Sequence, residues 1–155
     1  MKLHLFASIA VIAAAAGCST TTTKPGDERL IGAWKSNREE TVAKILERDP
    51  KWKSASPESI EKLRGLFGQM TIRYGEKSVE THYLGETEKL GYKVLERGPD
   101  FVVIQIIGGD EDGKEERLRF GENADSYWIH SSLMPTIEER FDKIPVEASG
   151  EGKGR

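Results

Sequence analysis

The hydrophobic period of the chain changes near Met70. From there, short segments alternate between apolar and polar residues, beginning with Met70–Tyr74 and Val79–Tyr83, and glycine-containing turns separate them. Alternation with period two is typical of strands that bury one face, and regular spacing of such strands indicates an antiparallel meander. With a first strand at Leu30–Trp34 we count about eight strands, enough to close a small barrel.

Between the first strand and Met70 the apolar residues follow a helical period. Ser36 and Glu39 form a capping box at the start of the first helix, and Asp49-Pro50 ends it. The second helix begins at Ser56-Pro57, with proline in the first helical position. The two apolar stripes consist of Val42, Ile45, Leu46, Ile60, Leu63, Leu66 and Phe67. The predicted fold is therefore mainly β, a small antiparallel meander barrel with two short helices between strands 1 and 2.

The N-terminus has the layout of a secretory signal peptide. Lys2 precedes an apolar run of fourteen residues, Leu3–Ala16, which is too short for a membrane span of about 20 residues. The run ends in Ala15-Ala16-Gly17-Cys18, which resembles the lipobox of bacterial lipoproteins, although Ala15 stands where leucine is commonest. The resemblance implies that residues 1–17 are removed and that Cys18 carries the lipid. The alternative is an ordinary secreted protein cleaved after Ala16.

The same resemblance implies a location. Ser19, a residue other than aspartate after the lipidated cysteine, favours the outer membrane, with the protein facing the periplasm. Residues 18–29 are polar and contain Pro25-Gly26, so we predict a flexible tether there, a barrel domain over 30–145 and a disordered tail over 146–155. Two or three acyl chains hold a protein on a membrane almost permanently, because each buried methylene contributes about 0.8 kcal/mol.

The composition of the chain argues against a disulfide and against one class of binding partner. Cys18 is the only cysteine, so no disulfide is expected. After removal of Lys2, 22 basic residues stand against 26 acidic ones, a net charge of −4. This balance argues against a nucleic-acid partner.

Gly32-Ala33-Trp34 on the first strand, followed by a meander, resembles the lipocalin and fatty-acid-binding (calycin) group. The resemblance implies that Trp34 packs across the closed end of the barrel and that the helical pair lies over its mouth. It also implies a basic residue of the last strand packed on the tryptophan, for which Arg140 is the candidate.

Alternation predicts which aromatic residues face the interior. Tyr74, Tyr83, Tyr92 and Trp128 would line an apolar cavity that carries a few hydroxyl groups, suited to a small hydrophobic ligand. Alternatively the same side chains fill the barrel. These two outcomes predict different functions, a ligand carrier and an interaction module.

The segment Phe101–Ile107 is apolar on both faces except at Gln105. One face belongs to the core, and the other is either covered by the helix pair or exposed as a docking patch for an envelope protein. This segment is the basis of the second hypothesis, an assembly factor or inhibitor.

Candidate catalytic residues are few. His82 and His130 lie on separate strands, His82 on the solvent face, and no cysteine nucleophile remains after lipidation. The acidic stretch Asp110–Glu116 lacks the ligand spacing of an EF-hand and is interpreted as a solvated hairpin tip. We therefore expect a protein without enzymatic activity, cofactor or metal: a lipid-anchored lipocalin-like protein that binds a small hydrophobic ligand.

Overall fold

The computed structural model describes residues 26–132 and 134–145, which contain a closed antiparallel barrel of eight strands. Each strand pairs with the next one in sequence, and the last pairs with the first. The strands are β1 (Gly32–Ser36), β2 (Thr71–Tyr74), β3 (Ser78–Tyr83), β4 (Glu86–Arg97), β5 (Phe101–Ile107), β6 (Glu115–Phe120), β7 (Ser126–His130) and β8 (Glu138–Lys143). The fold class predicted from the hydrophobic pattern is confirmed.

Three helices connect β1 to β2: α1 (Arg38–Arg48), α2 (Pro50–Lys53) and α3 (Pro57–Leu66). The sequence predicted α1 and α3 and the end of α1 before Pro50. The additional single turn α2 arises because Asp49, which ends α1, also accepts a hydrogen bond from the Lys51 amide and so caps a new helix.

The predicted capping box at Ser36 is wrong. The cap of α1 is Asn37, whose side-chain oxygen accepts a hydrogen bond from the Glu40 amide at 3.0 Å. Ser36 lies on the inward face of β1, two residues after Trp34, and its hydroxyl is bonded inside the barrel to Glu139. Strand alternation therefore determines the role of Ser36.

The two ends of the barrel differ. One end, here called the closed end, carries the turns 75–77, 98–100 and 121–125 and the two ends of the described chain. The other end, here called the mouth, carries the three helices and the loops 84–85, 108–114 and 131–137. An aromatic cluster fills the interior toward the closed end, and its members are Trp34, Tyr74, Tyr92, Phe120, Tyr127 and Phe141.

Within the stretch 18–29 that the sequence predicts as a tether, Asp27 and Arg29 pack against the barrel. Asp27 is only 5% exposed and is bonded to the Arg29 guanidinium. That guanidinium also donates to the carbonyls of the turn 98–100 and lies 4.6 Å from the centre of the Phe120 ring. Cys18, the signal peptide 1–17 and the tail 146–155 lie outside the described residues.

A second, smaller apolar cluster joins the helices to one another and contains Val42, Ile45, Leu63 and Phe67. The helices are fixed to the barrel along β8. Thr41 Oγ1 accepts a hydrogen bond from the Arg140 amide at 3.0 Å, and Lys44 Nζ lies 2.7 Å from the Glu138 carboxylate.

The helices therefore lie three strands away from β5. Side chains of the neighbouring strands partly cover the outer face of β5 instead. The Arg117 guanidinium of β6 lies 3.8 Å from the centre of the Phe101 ring. Val103 is half-buried, while Ile107 stays 47% exposed and Leu95 on β4 43% exposed. Long charged side chains cover apolar surface with their stems in this way.

Candidate functional site

A cavity of about 190 Å³ lies inside the barrel on the mouth side of the aromatic cluster. Its apolar wall is made of inward-facing residues from six strands: Ile72, Tyr74, Val79, Leu90, Ile106, Ile129 and Phe141. Its polar lining includes Thr81, Glu88, Glu111, Glu116, His130, Ser131 and Glu139. The interior is thus neither wholly hollow nor wholly filled, because aromatic rings occupy one half and leave space in the other.

Glu139 is a buried acid in this cavity. Alternation along β8 turns Glu139 and Phe141 inward, and Glu139 is only 2% exposed. The hydroxyls of Ser36 and Ser131 donate to its two carboxylate oxygens, and Ser36 Oγ in turn accepts a hydrogen bond from the Gly68 amide at 2.8 Å. Burial raises the pKa of Glu139, and the two hydroxyl donors oppose that shift without cancelling it.

Tyr127 is fully buried on the inward face of β7, with its ring stacked 5.3 Å from that of Phe141. Its hydroxyl makes no hydrogen bond of standard geometry within the described part of the chain. Burial raises the pKa of Tyr127, with further contributions from Tyr74, Glu116 and Glu139. Those three residues line the cavity, whereas Tyr127 itself packs in the aromatic cluster beside it.

The barrel wall is split between β6 and β7 on the mouth side. The only paired positions of these two strands in the described structure are Arg119↔Trp128 and Phe120↔Tyr127. Toward the mouth, residues 115–118 pair only with β5, and Ile129 and His130 pair only with β8. A hollow of about 310 Å³ occupies this split and shares Glu116, Ile129 and Ser131 with the cavity lining. The cavity is therefore accessible from the side of the barrel.

Two basic residues, Lys114 and Arg117, line this entrance. Lys114 Nζ is 2.7 Å from Glu111 Oε1 and 3.0 Å from Glu116 Oε1. Burial lowers the pKa of Lys114, but the bonds to Glu111 and Glu116 outweigh it, and the net shift is upward. The rim therefore carries paired charges with an excess of carboxylates.

The structure brings only one of the four predicted ligand-binding residues to the cavity, namely Tyr74. Tyr92 also faces inward but lies nearer the closed end, where its hydroxyl donates to the Gly75 carbonyl at 2.7 Å. Tyr83 is half-buried outside the cavity lining. Trp128 faces outward, with Lys44 Nζ 3.5 Å from its ring centre.

The prediction therefore placed the wrong face of β7 inward. Tyr127 and Ile129 point into the barrel, and Trp128 points outward. The signal was present in the sequence, because Tyr127 and Ile129 form one apolar face whereas Trp128 shares its face with His130, a residue that prefers water. Glu139 was missed for a different reason: a charged residue inside a barrel contradicts the simple rule that polar side chains face solvent.

The residues of the Gly32-Ala33-Trp34 motif lie at the start of β1, and the structure corrects the expectation about the basic residue beside the tryptophan. Trp34 is fully buried, and its Nε1 donates to the Leu30 carbonyl at 2.7 Å. The cation beside its ring is Lys143 and not Arg140. Arg140 points outward, because its neighbours Glu139 and Phe141 face inward, and its guanidinium bonds Asp142 at 2.8 Å. Gly32, with φ of +128°, begins the strand in a conformation that favours glycine.

The two described histidines are far from a catalytic arrangement. His82 is exposed on the outer face of β3, as predicted, and bonds Glu80 and Thr87. His130 is exposed at the rim of the cavity, without a hydrogen bond to a carboxylate among the described residues. Over residues 26–132 and 134–145 no group of three acidic, histidine or cysteine side chains is placed to hold a metal ion.

Comparisons with protein-family models, curated proteins and solved structures gave no significant match. No helix in the described part of the chain has the length and apolarity needed to cross a membrane. The molecule is therefore defined by its own architecture, a closed meander barrel with an aromatic-filled closed end and a laterally accessible cavity at its mouth.

Proposed function

We propose that this protein is a lipid-anchored component of the bacterial cell envelope whose barrel binds a small, largely apolar ligand in the mouth cavity. The observation that carries the proposal is the cavity itself: about 190 Å³ of space inside the barrel, with eight apolar side chains, Met70 included, in its lining. A barrel that served only as a rigid scaffold would gain stability by filling that space, because interiors normally pack to the density of organic crystals.

The volume limits the ligand. An apolar cavity of about 150 Å³ binds benzene, whereas pockets for drug-sized molecules measure roughly 300–1,000 Å³. At about 190 Å³ the barrel holds one aromatic ring with a short substituent, or a short aliphatic chain. A long-chain fatty acid does not fit.

The proposed lipid anchor rests on Cys18 and its resemblance to a lipobox. The fold would set how a protein anchored there is oriented on the membrane. The described chain enters the barrel at its closed end, where Gly26 packs against Glu76 and Tyr92. Eight residue steps separate Cys18 from Gly26, a reach of roughly 28 Å at full extension. A protein held by Cys18 on the outer membrane would turn its closed end toward the lipid and its mouth toward the periplasm. The replacement Cys18→Ala should release it into the soluble fraction, and continued membrane association would contradict the anchor.

The role proposed is binding rather than catalysis. His130 lines the cavity, and among the described residues no carboxylate is hydrogen-bonded to it to orient it as a general base. Glu139 is held by two serine hydroxyls, an arrangement suited to fixing a polar group of a ligand.

Thermal-shift titrations with one-ring compounds test this function, with a matched pair of variants. Ile106→Phe adds volume inside the cavity, and Val103→Phe makes the same kind of change on the outer face of the same strand. We expect wild type and Val103→Phe to be stabilised by benzyl alcohol and Ile106→Phe to lose most of that stabilisation. Equal responses of the two variants would place the binding outside the barrel and contradict the proposal.

Docking on an envelope protein is the second candidate, and two exposed apolar residues, Leu95 on β4 and Ile107 on β5, favour it. In-cell cross-linking from Ile107 tests it, with Leu84, a 66% exposed leucine in the turn before β4, as the control. A protein adduct specific to Ile107 and lost in Leu95→Lys would support docking, and identical adducts from both sites would rule it out.

A further inference from the structure

We propose that the ligand of the mouth cavity carries a cationic nitrogen, such as a primary ammonium group on a small apolar body. This inference rests on the proposed binding function and assigns the chemical class of the ligand. It distinguishes the cavity from a fatty-acid site, which pairs a carboxylate with basic side chains.

The charges of the lining support this class. Four carboxylates line the cavity, at Glu88, Glu111, Glu116 and Glu139, and no lysine or arginine is among its described lining residues. The nearest cation, Lys114, is already held by Glu111 and Glu116 and stands in the side entrance. An anionic ligand would meet uncompensated negative charge, whereas a cation would be attracted to it.

The hydrogen-bonding groups inside the cavity point the same way. Glu139 receives one hydroxyl donor on each oxygen, and a carboxylate has about four acceptor sites, so it can still accept. An ammonium group, which has three donors and no acceptor, would satisfy the remaining acceptor sites of Glu139.

The geometry also separates the polar and apolar parts of the ligand. Val79 on β3 and Ile106 on β5 provide apolar wall three strands away from Glu139 on β8. A ligand with its nitrogen at one end of a single ring or short chain would match this division. It would enter through the split between β6 and β7, past Glu116 and His130.

Three compounds of nearly equal size test the inference: benzylamine, benzyl alcohol and benzoate. Binding would be measured by NMR titration at about pH 8, where amine and benzoate are both charged, and mapped to the signals of Ile106 and Ile129. We expect benzylamine to bind at least tenfold more tightly than benzyl alcohol, and benzoate more weakly than both. Glu139→Gln should abolish the preference for the amine, while Glu80→Gln, on the outer face of β3, should leave it unchanged.

These outcomes distinguish a failure of the proposed cationic class from a failure of the proposed binding function. If benzyl alcohol binds in the cavity as tightly as benzylamine, or benzoate binds most tightly, the cationic class is wrong and the binding function stands. If none of the three perturbs the cavity signals, both fall. Because the ligand series is measured on the wild-type protein, the test holds even where Glu139→Gln fails to fold.

Discussion

The ammonium group of Lys143 lies 5.1 Å from the centre of the Trp34 ring, so the first and last strands of the barrel meet in a cation–π contact. The same strands are paired at these residues, Trp34↔Lys143. The contact therefore marks the point at which the barrel closes.

A double-mutant cycle of Lys143→Met and Trp34→Leu should reveal a coupling energy of about 0.5–1 kcal/mol, typical of a cation–π pair near the surface. The free energy of unfolding in urea is the quantity to measure. The same cycle with Arg140→Met serves as the control and should show no coupling. Equal coupling for Arg140 would mean that the contact at Trp34 is assigned to the wrong residue.

Removing the Tyr127 hydroxyl should stabilise the ligand-free protein. Tyr127→Phe eliminates a buried polar atom without a partner in the described structure, so we expect a gain of about 1 kcal/mol in unfolding free energy. Tyr92→Phe is the matched comparison, because its hydroxyl donates to Gly75 and its loss should cost about 1 kcal/mol. A loss of stability in Tyr127→Phe would show that its hydroxyl is satisfied in solution.

Glu139 should make stability fall as pH rises. Burial raises the pKa of Glu139 above its usual value of 4.5, so the unfolded chain releases this proton at a lower pH than the folded protein. Between those two pKa values the folded state binds more protons, and the unfolding free energy decreases with increasing pH. Glu139→Gln should remove this contribution. Unfolding curves of the two proteins, recorded from about pH 4 upward, give the difference; a difference that does not vary with pH would contradict the raised pKa.

The split between β6 and β7 should be visible in amide hydrogen exchange. The Phe120 amide donates toward β5, to the Asp100 carbonyl, so alternation directs the Leu118 amide toward β5 and the Arg117 amide toward the split. We expect the Arg117 amide to exchange at least tenfold faster than that of Leu118 in the free protein. Similar protection at both amides would mean that the strands pair in solution and that the side entrance is closed.

Much of this fold follows from local patterns. Alternation after Met70 and the Gly32-x-Trp34 strand predict a closed eight-strand barrel, and Ser56-Pro57 marks the start of α3. The volume of the cavity cannot be predicted from local patterns, because it depends on how aromatic rings from strands far apart in the sequence pack together inside the barrel. Tyr127 and Glu139 were missed because the phase of a five-residue strand and the burial of a charged side chain depend on partners such as Ser36, more than 100 positions away.

The central claim is that the barrel holds a ligand at its mouth. A crystal structure determined in saturating benzylamine tests it most directly. The account predicts electron density for the compound inside the barrel, in contact with Ile106 and Ile129 and with its nitrogen within hydrogen-bonding distance of Glu139. A barrel interior closed over by its own side chains, with the compound absent from it, would contradict the account.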